Sequence, residues 1–223
     1  MEEWYLTRLI TSGYGFDSRP RNKMNPPFSI KEAIRFGWDK TRAHSALVFQ
    51  VVLTLFALEV ANAVVSKTIG GTALGIMATI VIVVAEFLVG VGLIVIVLKL
   101  ARGVHARYAE IIPPWSLAWR YFLASFLAGL AVLGGLILLV IPGVYMMLRL
   151  SMVRFVVVDG AGVRKSLDIS SRLTEGVKWK LLWFFIVLIL LNILGMLCLL
   201  VGLLVTLPVS VLAYAHVYTK LSR

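Results

Sequence analysis

Among the ionisable side chains inside long apolar runs, four stand out: Glu59, Glu86, Arg149 and Arg154, with Arg120 nearer the end of its run. At bilayer depth an unpaired charge costs at least ~2.5–3.5 kcal/mol, so such residues need a use. Two acids and two bases can relay protons or pass a polar solute. They can equally pair with one another and lock helix against helix. At about 1.5 Å of rise per residue, Glu59 and Arg149 sit at similar depth in their runs and can pair. Glu86 lies near the middle of its run, and Arg154 is deeper in the run that holds Arg149. The four are expected to form one intramembrane polar network, and both uses, pathway and clamp, fit the residue types.

No soluble-enzyme chemistry accompanies them. The chain has no HExxH helix, no nucleophile elbow and no phosphate-cradling glycine loop. His44, His105 and His216 lack a second histidine or a carboxylate at ligand spacing. Asp159, Asp168 and Glu110 sit amid an excess of Lys and Arg, which disfavours a divalent cation. A lipid-modifying enzyme would need polar groups converging near Asp159 and His105. The single cysteine, Cys198, stands in an apolar run, so neither a disulfide framework nor a thiolate cluster is expected. The residues point to a non-enzymatic chain with no cofactor and no bound metal.

The elements that position these residues follow from hydropathy. Of 223 residues, 60% are hydrophobic and 15% charged, against roughly half and a quarter in a soluble domain. A disordered chain and a nucleic-acid-binding domain are excluded. Residues 1–28, with Arg19-Pro20-Arg21-Asn22-Lys23 and Pro26-Pro27, read as a disordered tail without a signal peptide, and Met24 is an alternative start. Residues 29–223 read as one membrane domain. Roughly 20 apolar residues cross a bilayer, and six stretches qualify: Ser45–Val65, Thr72–Leu98, Ser116–Val140, Val144–Val158, Leu181–Val205 and Leu207–Leu221. The fourth is short, the third ends at Ile141-Pro142-Gly143, and Gly202 and Pro208 offer breaks between the last two.

The net charge of +11 is a topology signal. Eight Lys and Arg precede Ser45, three lie between Lys99 and Trp115, five between Asp159 and Lys180, and Lys220 and Arg223 close the tail. The opposite connections hold Lys67 alone. Positive charge stays on the cytoplasmic side, so both termini are expected inside the cytoplasmic membrane, with three hairpins pointing outward. Trp38, Trp115, Trp119, Trp179 and Trp183 fall near the same boundary, where indoles anchor well.

Two segments on that side share a helical plan 133 residues apart, Ser29–Arg42 (SIKEAIRFGWDKTR) and Gly162–Glu175 (GVRKSLDISSRLTE). Ile30, Ala33, Ile34, Gly37 and Thr41 line one face, matched by Val163, Ser166, Leu167, Ser170 and Thr174. Ser29 and Glu32 have the spacing of a capping box. Each segment is an amphipathic helix expected in the cytoplasmic interface. On this reading Lys31, Arg35, Arg42, Arg164, Lys165 and Arg172, with Trp38 and Trp179, contact membrane lipid, anionic headgroups in particular. The plainer reading is a connector that closes the bundle from below, with its charges solvated.

The second half carries IPGVYMMLRLSMVRFVVVDG, then RKSLDISSRLTEGVKWKLL, then LVGLLVTLPVSVLAYAHVY. The order of Pro142-Gly143, Arg149, Asp159, Ser166, Ser170, Leu173-Thr174-x-Gly176 and Trp179 resembles a prokaryotic family of integral membrane proteins of unknown function. That family is related to the membrane domain attached to some glycerophosphoryl diester phosphodiesterases. The resemblance implies a six-helix membrane protein with no established reaction, and the phosphodiesterase catalytic domain is absent. The expected architecture is thus all-α and polytopic, with six transmembrane helices as three hairpins and cytoplasmic amphipathic helices. The expected role is a structural or lipid-associated membrane component, with a small transporter or permease subunit using the Glu and Arg set as the alternative. Membrane lipids are the expected partners and nucleic acid is not. Protein partners are open, a homo-oligomer among them.

Overall fold

The computed structural model describes residues 28–197 and 202–222. The tail read over residues 1–28 lies outside them except for Phe28, as do Met24 and Cys198. The described chain is all-helical, 85% helix with no strand. Its helices are α1 (Ile30–Ala43), α2 (Ser45–Ile69), α3 (Ala73–Ala101), α4 (Trp115–Leu138), α5 (Val140–Arg149), α6 (Val153–Val158), α7 (Val163–Leu173), α8 (Lys178–Leu197) and α9 (Leu203–Leu221). A 3₁₀ turn, Tyr108–Ile111, lies between α3 and α4. Six helical stretches are long and apolar enough to cross a membrane: α2, α3, α4, α5 with α6, α8 and α9. This is a multi-pass membrane protein.

Several boundaries move from their expected places, each for a local reason. α2 runs to Ile69, so Lys67 sits in its last turn, where a cation meets the negative end of the helix. Thr72 then caps α3, its Oγ1 accepting from the Gly75 N–H at 3.1 Å. The third span ends at Leu138, because Leu139 alone is extended. Pro142 thereby falls in the first turn of α5, where a missing N–H leaves no intrahelical bond unmade. The fourth span is longer than expected, Val140–Val158, and its helix is interrupted in the middle, between Arg149 and Val153. Between the last two spans, α9 already begins at Leu203, and Pro208 lies inside it. Of the two expected breaks, Gly202 stands at a helix end and Pro208 does not.

The six spans form two classes. In α3, α5–α6 and α9 the most apolar stretch is 28%, 39% and 44% buried, against 6%, 11% and 22% in α2, α4 and α8. The even-numbered spans therefore make the core, and each odd-numbered span packs outside the one that follows it. Phe155 shows the core contact: its ring stacks on Tyr218 at 5.1 Å and meets Tyr214 edge-on at 4.9 Å. Large apolar side chains that point outward, such as Phe56, Ile80, Phe126 and Leu194, suit a hydrocarbon solvent, where exposure carries no penalty.

Three short segments brace the core spans. α1 lies along α9, the 3₁₀ turn along α3, and α7 along α6. The approaches are close. A Cβ on Gly37 would lie 2.3 Å from the Val209 carbonyl oxygen, and one on Gly92 would lie 1.9 Å from that of Ile111. Both glycines permit backbone to touch backbone. The buried stripes of α1 (Ala33, Gly37) and α7 (Ser166, Ser170) thus face protein. The amphipathic segments behave as bracing connectors on that face. Their charged faces carry ion pairs of their own, Arg35 with Asp39 and Arg172 with Asp168.

Candidate functional site

The polar groups of the molecule gather around the break in the fourth span and the end of the core beneath it. At the break, Leu150, Ser151 and Met152 interrupt the helix, and unbonded backbone in hydrocarbon costs several kcal/mol per group. Ser170 Oγ donates to the Arg149 carbonyl at 3.0 Å and accepts from the Met152 N–H at 3.2 Å. Thr174 Oγ1, one turn further along, is 3.3 Å from the same carbonyl. From the other side the Tyr214 hydroxyl donates to the Ser151 carbonyl. The Ser166–Ser170–Thr174 stripe is polar because part of its buried face closes a broken helix.

One turn and a half further on, Asp159 ends α6. Its carboxylate accepts from Arg102 Nη2 at 2.5 Å and from the Tyr218 hydroxyl at 2.5 Å. Arg102 caps α3 and Tyr218 lies in the last turn of α9. One side chain, 5% exposed, thereby joins the ends of all three core spans. Charge-assisted bonds of this kind contribute about 1.5–3 kcal/mol each. Beside it, Lys99 Nζ bonds Glu110 Oε1 at 2.6 Å and holds the 3₁₀ turn to α3.

A third cluster fastens α1 to α9. Glu32 Oε1 lies 3.1 Å from Lys220 Nζ and 3.6 Å from His216 Nε2, and Phe36 stacks on the His216 ring at 4.1 Å. The Lys220 ammonium, by hydrogen bond and charge, holds the Glu32 carboxyl below its usual range, with His216 adding a smaller pull. The expected capping box does not form. Ser29 occupies the N-cap position in extended backbone, but its side chain makes no capping bond, and Glu32 has turned to α9 instead.

The four intramembrane charges are not brought together. Among the described residues no hydrogen bond or ion pair joins any two of Glu59, Glu86, Arg149 and Arg154. The cause is packing order: α2, which carries Glu59, lies chiefly on α3, whereas α5 lies on α4. Glu59 and Arg154 are exposed on the outside of the bundle. Glu86 is half-buried, and its Oε1 is enclosed without a hydrogen-bond partner. Arg149 is half-buried and spends its Nε on Ser171 Oγ at 2.5 Å.

Two grooves open on the outer surface. One, of about 710 Å³, runs between α1, α8 and α9 and is rimmed by Lys31, Arg35 and Trp38. The other, of about 530 Å³, lies between α4, α5 and α7 and contains Arg149, Arg164, Asp168 and Ser171. Glu86 lines neither. Arg42, Lys165, Arg172 and Trp179 are exposed outside both grooves, and Arg172 pairs with Asp168 at 3.0 Å. No group of three or more His, Cys, Asp or Glu side chains among the described residues is placed to hold a metal ion.

Hydropathy and charge alone miss Asp159, Arg102, Tyr218, Tyr214 and Lys220 as site residues. A signal existed for Asp159. An acid at a helix C-terminus opposes the helix dipole and calls for a cation. No protein-family model, curated protein or solved structure matches the chain.

Proposed function

We propose that this chain is a non-catalytic component of the cytoplasmic membrane, structural and lipid-associated, with its six spans in three hairpins and both termini in the cytoplasm. The observation that carries the reading is the closure of the polar core. The break in the fourth span has its backbone bonded by Ser170, Thr174 and Tyr214, and Asp159 holds three span ends through Arg102 and Tyr218. Groups spent on one another in this way fix helix positions. The positive-inside bias of the sequence supports the orientation, because Lys and Arg concentrate in alternate connections. The order of motifs from Ile141 to Trp179 supports grouping the chain with membrane proteins related to the phosphodiesterase membrane domain.

One observation favours the alternative of a small transporter. The fourth span is broken, as spans that bind solutes often are, and Glu86 keeps an enclosed oxygen without a partner. Reconstitution into sealed vesicles separates the two. A structural component leaves an imposed pH gradient intact, with wild type and Glu86→Gln alike. A proton leak that Glu86→Gln abolishes overturns the structural reading.

A further inference from the structure

The two grooves are copies of one another. Groove one takes Lys31, Ile34, Arg35 and Trp38 from α1, and groove two takes Arg164, Leu167, Asp168 and Ser171 from α7. Each pair of positions differs by the 133 residues that separate the two amphipathic segments. The ion pairs along the two helices correspond as well, with polarity exchanged: Arg35 to Asp39 at 3.9 Å, and Arg172 to Asp168 at 3.0 Å. Each helix also faces an equivalent pair of spans, α8 with α9 in one case and α4 with α5 in the other. A duplicated segment has therefore kept both its packing partner and an open slot beside it.

The slots share an apolar floor, although the first is almost wholly apolar and the second is partly polar. The floor is Leu191, Val205 and Val209 in the first, Leu127, Leu130 and Leu150 in the second. Their volumes fall in the ~300–1,000 Å³ range of sites that hold a small molecule. Both carry cations at the edge, Lys31 and Arg35 in one, Arg149 and Arg164 in the other. Arg149 is the telling residue. It stands within a membrane span, its described hydrogen bond is to a neutral hydroxyl, and it lines the slot. A guanidinium at that depth is stabilised by an anion that arrives with its own apolar tail.

We propose that each groove holds one anionic glycerophospholipid, an acyl chain lying in the slot and the phosphate against Lys31 and Arg35 in one copy, Arg149 and Arg164 in the other. The proposal rests on the lipid-associated reading above and gives it a ligand and two addresses. Charge complementarity selects the occupant. A zwitterionic lipid brings a quaternary ammonium against the same cations, and a fatty chain alone leaves them uncovered. The Asp168 carboxylate is engaged by Arg172, so groove two remains net positive.

Native mass spectrometry of the purified full chain, titrated with phosphatidylglycerol or with phosphatidylcholine of the same chains, tests it. Wild type should retain two phosphatidylglycerol molecules in preference to phosphatidylcholine. Lys31→Gln with Arg35→Gln should remove one, and Arg149→Gln with Arg164→Gln the other, each site weakening roughly thirtyfold for two surface charges. Lys67→Gln, a basic residue in the last turn of α2 that lines neither groove, should change nothing. Full retention of both lipids by the fourfold variant overturns the groove assignment and leaves lipid association standing. Equal retention of the two lipids by wild type overturns the anionic selectivity and with it the proposal, and retention of neither overturns lipid association as well. Should the Arg149 variant fail to fold, the α1 variant decides alone, because its side chains are exposed; an unchanged lipid count there overturns the proposal.

Discussion

At the scale of single residues, Asp159 has the largest share of the work. Its carboxylate is buried, and its two described partners come from different spans. Asp159→Asn should destabilise the protein by about 2–4 kcal/mol, since a cation loses its buried counter-charge. Arg102→Gln should cost at least as much, because it takes the counter-charge from a carboxylate only 5% exposed, whereas the Arg102 left by Asp159→Asn is 31% exposed and can be hydrated. The double variant should fall short of the sum of the two, the mark of a shared bond, in melting curves taken in detergent. Glu32 gives a pH signature. Lys220 lowers its folded pKa, so its contribution is complete above the ordinary carboxylate pKa of about 4.3. It is lost as pH falls through the lower folded value. Melting temperature measured at neutral pH and again well below the ordinary carboxylate pKa should therefore drop less in Glu32→Gln than in wild type. The effect is modest, for Glu32 lies at the surface.

At the scale of elements, the braces are held by backbone contacts and small hydroxyls. Gly92→Ala places a methyl 1.9 Å from the Ile111 carbonyl, and neither backbone can give way cheaply, so a loss of about 1–3 kcal/mol is expected. Gly71→Ala, whose new Cβ meets nothing within 4 Å, is the matched control and should leave the melting temperature nearly unchanged. Ser170→Ala strips the Met152 N–H of its described side-chain acceptor at the break and should cost about 1–3 kcal/mol. The spans themselves were legible in the sequence, because long apolar runs and basic connections are properties of composition. The faces of α1 and α7 were legible too, from their 3.6-residue period. Their partners were not: periodicity shows that Gly37 and Ser170 are turned inward, but it is silent on whether lipid or Val209 and Met152 await them. The Glu59–Arg149 pairing failed for the same reason, since equal depth on two helices says nothing about which helices touch.

At the scale of the whole molecule, three core spans, three outer spans and three braces make an arrangement in which each brace supports one core span. The last span is braced by α1, the first helix among the described residues, and Glu32 and Lys220 fasten the two. Orientation can be read with single cysteines after Cys198→Ser. Gly71→Cys and Gly162→Cys both replace glycines with open space around them. In vesicles whose cytoplasmic face points outward, an impermeant maleimide should label position 162 and spare position 71. The central claim, that the basic end works against anionic lipid, is tested most directly by the melting temperature of the intact protein in nanodiscs of graded phosphatidylglycerol content. The account predicts a melting temperature that rises with the anionic fraction and levels off once two lipids are bound. The same melting temperature in purely zwitterionic and in strongly anionic nanodiscs would contradict it.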